Sequence, residues 1–110
     1  MLYTINEILS NPLLEVLDRH DDMGSFAIRL GELQTIVCIE LGRYRRSDTT
    51  KFLTSHAIHT PVQIAPYHTS LPFGDTWEDA LDRAVSGLTT YYEDAIKAGH
   101  KPVDAWLVKN

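Results

Sequence analysis

At 110 residues, with 44% hydrophobic residues including 2 Trp, 5 Tyr and 3 Phe, the chain can bury one ordinary core, which excludes a second domain and wholesale disorder. Its net charge of −5 and pI of about 5.4 exclude bulk binding to a phosphate backbone, which takes a basic domain. The lone cysteine, Cys38, excludes an intrachain disulfide, and no apolar run approaches the roughly 20 residues of a membrane span, so a soluble, cytoplasmic chain is expected.

Thr4 and Glu7 have the spacing of a capping box, and Asn11-Pro12 has the chemistry of a cap followed by proline at the first helical position. Together they predict one broken helix or two short ones, at about 4–10 and 12–19. From residue 25 the period changes to two. Phe26, Ile28 and Leu30 alternate with Ala27 and Arg29, and Gly31-Glu32 offers a two-residue turn. Further strands are expected at about 33–44 and 50–59, joined through Ser47-Asp48. Tight hairpins set residue 30 opposite 33 and residue 44 opposite about 51. One face then collects Phe26, Ile28, Leu30, Leu33, Val37, Ile39, Leu41, Phe52 and Ile58, and is the expected core. The other collects Arg29, Gln34, Ile36, Cys38, Glu40, Tyr44, Lys51, Leu53, Ser55, Ala57 and His59.

The segment 61–74 contains Pro61, Pro66 and Pro72, with a short extended piece expected at 62–65. A connection this long inside a compact domain is more often functional than a plain linker. Trp77, Ala80, Leu81, Ala84, Val85, Leu88, Tyr92, Ala95 and Ile96 recur at spacings of three and four, which predicts a helix from about 76 to 98. Asp75 or Thr76 supplies its cap, Glu78 or Asp79 the capping partner, and Gly99 the left-handed residue past its end. The tail, with Val103, Trp106, Leu107 and Val108, is too apolar to float and should dock on the core or a sheet edge. The fold expected is a single α+β domain: short N-terminal helices, a three- or four-stranded antiparallel meander and a long C-terminal amphipathic helix on one sheet face, in α-β-β-β-α order.

Charge is segregated along this order. Residues 41–73 carry Arg43, Arg45, Arg46 and Lys51 against Asp48, a local excess of +3, while the segments before and after sum to −5 and −3. Such a split steers encounters with charged partners without building a catalytic site. His56, His59 and His68 fall in the basic segment, but an offset of three on a strand sends His56 and His59 to opposite faces, so no metal site and no cofactor are expected. His56 is expected on the core face and hydrogen-bonded, His59 on the outer face. Ser55 beside His56 points the opposite way by the same rule, and Cys38 lies mid-strand, away from any helix start. No catalytic residue is expected, and the chain reads as a non-enzyme.

What remains is a surface. Ile36, Cys38, Leu53 and Ala57 form an apolar centre with charged residues around it, the usual build of a protein interface. The expected partner-binding set is Arg29, Ile36, Arg43, Tyr44, Arg45, Arg46, Lys51, Leu53, His59 and Tyr67, contacting another protein or a second copy of the chain. The alternative is a nucleic-acid-binding module that uses the basic 43–51 hairpin, with Tyr44 to stack. A third reading is a small metal-dependent or His-based enzyme.

The helix, three strands, helix order is similar to that of the double-stranded-RNA-binding domain, a family with a lysine cluster where this chain has Asp75, Glu78 and Asp79. Gly74-Asp75-Thr76, with Glu78, Ala80-Leu81 and Ala84, resembles the strand-to-helix entry of HicB-type antitoxins, and that resemblance implies a small α/β protein that neutralises a toxin. A small acidic chain of this kind is compatible with an inhibitor or antitoxin from a phage or other mobile element.

Overall fold

The computed structural model describes residues 3–43, 49–69 and 72–110. Helix α1 spans Ile5–Leu9 and starts as its spacing predicts: the Thr4 hydroxyl accepts the Glu7 N–H at 3.1 Å, and the Glu7 carboxylate accepts the Thr4 N–H at 3.1 Å.

The second helix expected at 12–19 does not form; Leu14–His20 is strand β1. Asn11 explains the difference. Its side-chain Oδ1 accepts the Leu13 N–H at 2.9 Å and its carbonyl accepts the Leu14 N–H at 2.9 Å, so Asn-Pro makes a turn that releases the chain extended. Strand β1 then pairs antiparallel with β2 (Ser25–Leu30), with a bulge between Val16 and Asp18.

The Gly31-Glu32 turn forms, closed by the Leu33 N–H on the Leu30 carbonyl at 2.8 Å, but the strands do not zip up from it. Strand β3 is Val37–Arg43, and pairing with β2 begins at Ile28 and Val37. The Asp104 carboxylate captures the intervening backbone, accepting the N–H of Gln34 at 2.7 Å and of Thr35 at 3.2 Å. Strand β4, Thr50–Thr54, pairs Arg43 with Thr50 and Leu41 with Phe52. Both registers are offset by two residues from those expected for tight hairpins. Side chains alternate with period two, so an even offset leaves the paired residues of β2, β3 and β4 on their expected faces. The expected Ser47-Asp48 turn lies outside the described residues.

The third expected strand breaks at Ser55. Beyond it, His56–Ile58 is β5, which leaves the meander and pairs with the tail, β7 (Leu107–Lys109). No strand forms at 62–65; instead a two-residue strand β6, Phe73–Gly74, pairs with Thr50 and Lys51. The result is a five-stranded antiparallel sheet in the order β1-β2-β3-β4-β6, with a two-stranded β5-β7 sheet beside it.

Helix α2, Trp77–Lys97, covers one face of the sheet. The Thr76 hydroxyl accepts the Asp79 N–H at 3.0 Å, so Thr76 is the cap, and the Asp79 carboxylate turns to the Asp75 N–H at 3.0 Å. At the other end Gly99 has φ +90°, its N–H reaches the Ile96 carbonyl and the His100 N–H reaches that of Ala95, each at 3.0 Å. This is a Schellman ending, and it needs the left-handed residue that glycine supplies. All nine residues of the expected core face are buried, against Ala80, Leu81, Ala84, Val85, Leu88, Tyr92 and Ala95 of α2. Each large apolar side chain removed from water contributes about 1.5–3 kcal/mol. Ile96, expected on the buried stripe, is exposed, and Trp77 is half-buried with its Nε1–H on the Asp21 carbonyl at 3.0 Å. Among the described residues no helix is long and apolar enough to cross a membrane.

Candidate functional site

Because α2 takes one face, the other face of the sheet is left to solvent. The strand registers fix its composition: Ala27 faces Cys38 across β2 and β3, and Glu40 faces Leu53 across β3 and β4. Leu53 is 57% exposed and Ile36, just before β3, is 45% exposed; Cys38 and Glu40 are exposed too. Arg29 lies on the same face and is held in place, with its Nη1 on the Glu15 carboxylate at 2.9 Å and its Nε on the Gln34 carbonyl at 3.2 Å. Lys51, half-buried, stands opposite Gly42 and Phe73. The arrangement is an apolar centre of Ala27, Ile36, Cys38 and Leu53 inside a rim of Glu15, Arg29, Glu40 and Lys51.

Four of the ten expected partner residues, Arg29, Ile36, Lys51 and Leu53, are therefore brought to one face. Arg43 ends β3, exposed, with the core-side parity of its strand. Tyr44, Arg45 and Arg46 lie outside the described residues. His59 and Tyr67 do not join this face. The half-buried His59 has its Nε2 3.3 Å from the Gln63 carbonyl, inside the loop that follows β5, and the Tyr67 ring packs on Tyr91 of α2 with centroids 5.3 Å apart. Ala57, expected in the apolar centre, is buried, because the break at Ser55 carries it into the second sheet opposite Val108.

The same break overturns the expectation that Ser55 and His56 point apart. The Ser55 Oγ accepts the Cys38 N–H at 2.9 Å and lies 2.7 Å from the His56 Nδ1. Burial holds the His56 pKa below its ordinary value, and the nearby Lys109 charge lowers it further, so the neutral ring is favoured at pH 7. Among the described residues no group of three metal-ligating side chains gathers.

His56 also borders a cleft between β4, β5 and α2 that sequence reasoning did not foresee. Its walls come from four separate stretches of chain, and no local motif announces such a juxtaposition. No family model, curated protein or solved structure matches this chain.

Proposed function

We propose that the chain is a non-enzymatic protein-binding protein that presents the outer face of its sheet to a protein partner, as an inhibitor or antitoxin-like protein of a phage or other mobile element does. The observation that carries this reading is the exposed apolar centre at Ile36, Cys38 and Leu53, enclosed by charges of both signs. An apolar centre gives affinity on desolvation, and a mixed-sign rim selects the partner and its orientation. Arg29 and Lys51 supply the positive part of that rim, and Glu15 and Glu40 the negative part.

The test is affinity capture from the native host with the wild type beside an Ile36→Glu/Leu53→Glu double variant. A protein retained in stoichiometric amount by the wild type and lost by the folded variant supports the reading. Retention of the chain on immobilised nucleic acid at about 150 mM salt, abolished by replacing Arg43, Arg45 and Arg46 with Ala, would favour a nucleic-acid partner and count against it.

A further inference from the structure

The cleft beside His56 measures about 230 Å³ and lies on the α2 side of β4 and β5, with residues 67–69 and Pro72 on its rim. Phe52, Ile58, Ala84 and Leu88, all buried, give it an apolar floor. The polar side chains around that floor include Arg83, His56, His68, Thr54, Thr69 and Asn110, and among the described residues no Asp or Glu lines it. The His56 Nδ1 lies 2.7 Å from the Ser55 hydroxyl, a contact that orients the ring. Arg83 is held by its Nε on the Asp79 carboxylate one helical turn earlier, at 3.2 Å. This pair restrains the exposed guanidinium and offsets part of its charge.

We propose that this cleft binds a small organic acid, with the anionic group between Arg83, His56 and His68 and an apolar body on Phe52 and Leu88. An apolar floor beside a few polar side chains is the usual build of a small-molecule site. Its volume is about eight times the roughly 30 Å³ share of one water and falls below the roughly 300 Å³ of a drug-sized pocket, which sets the ligand at the size of a single substituted ring. Recognition of an anion by a fixed arginine is charge-assisted and sensitive to geometry. Among the residues named for the outer sheet face the cleft touches Leu53 only, and its ligand is a small molecule whatever partner that face takes.

Sodium benzoate is the probe, followed by amide shifts in two-dimensional NMR, beside benzyl alcohol for the ring without charge and inorganic phosphate for charge without the ring. Benzoate is expected to give saturable shifts at His56–Ile58 and at Gly87-Leu88 with a Kd of ~1 mM, weakened about tenfold by Arg83→Gln. Asp79→Asn, which removes the competing carboxylate, should tighten binding, whereas a purely structural effect of the pair would move both variants the same way. Benzyl alcohol should bind severalfold more weakly. Three results would overturn the proposal: no saturation by about 20 mM benzoate, some twentyfold above the expected Kd; phosphate reproducing the benzoate shifts at equal affinity; or indifference to Arg83→Gln.

Discussion

Asp104 accepts the backbone N–H of Gln34 at 2.7 Å across 70 residues of sequence, and through it the tail is tied to the turn between β2 and β3. The same carboxylate oxygen takes the N–H of Thr35 at 3.2 Å and its hydroxyl at 3.3 Å. These bonds to backbone N–H groups pull the Asp104 pKa below its ordinary value of 3.8, against a smaller desolvation effect. A carboxyl whose folded pKa is depressed stabilises the fold above its unfolded pKa, and that contribution is lost as pH falls through the folded value. Asp104→Ala should therefore lower the urea midpoint at pH 7, and the gap to the wild type should close as pH falls below about 3.8.

The histidine at the strand break has the opposite charge type and the same sign of pH dependence. With its folded pKa depressed from 6.5, His56 binds fewer protons than the unfolded chain just below that pH, so its contribution is present above 6.5 and lost as pH falls. The urea midpoint should drop between pH 7.5 and 5.5 in the wild type and drop less in His56→Gln. Ser55→Ala removes the hydroxyl bonded to both Cys38 and His56 and should cost about 1 kcal/mol at pH 7.

Gly24 has φ +67°, and a Cβ there would clash with the Trp77 ring and lie 2.9 Å from the Leu41 Cβ. Left-handed strain and overpacking act together, each costing about 1–3 kcal/mol. Gly24→Ala should destabilise by at least about 2 kcal/mol in chemical denaturation. Gly42, with open space at its Cβ position, is the control, and Gly42→Ala should stay within about 0.5 kcal/mol of the wild type.

The two sheet faces should respond in opposite ways. Ile39 is fully buried, and Ile39→Ala should cost about 2–5 kcal/mol. Leu53→Glu and Ile36→Glu, on the exposed face, should each change stability by no more than about 0.5 kcal/mol. Thermal and urea unfolding of the three variants measures this contrast.

Helix α2 and the inner sheet face were legible because their signals are local: the 3.6 and 2.0 periods of Leu81, Leu88, Phe26 and Ile39, the Thr76 cap and the Gly99 ending. The hairpin registers were displaced, yet the faces survived, since both offsets are even. Strand β1 was misread because Asn11-Pro12 can open a helix or a turn, and the choice was made by tertiary pairing of Leu14 and Val16 with Leu30 and Ile28. The break at Ser55 depends on the tail pairing with β5, a contact between residues some fifty apart that no local pattern encodes. Ala57 and His59 left the expected interface for that reason, while Tyr67 packs on Tyr91 of α2. Arg29, Ile36, Lys51 and Leu53 stayed on it because they belong to the unbroken part of the meander.

Cys38 sits at the centre of the proposed interface, exposed, and is the chain's one thiol. Its rate of alkylation by a small maleimide, measured on the purified chain and on the complex captured from the native host, reads the occupancy of the outer face directly. Binding through that face predicts fast labelling of the free chain and severalfold slower labelling in the complex. Equal rates in both states, in a complex that survives the measurement, would contradict it.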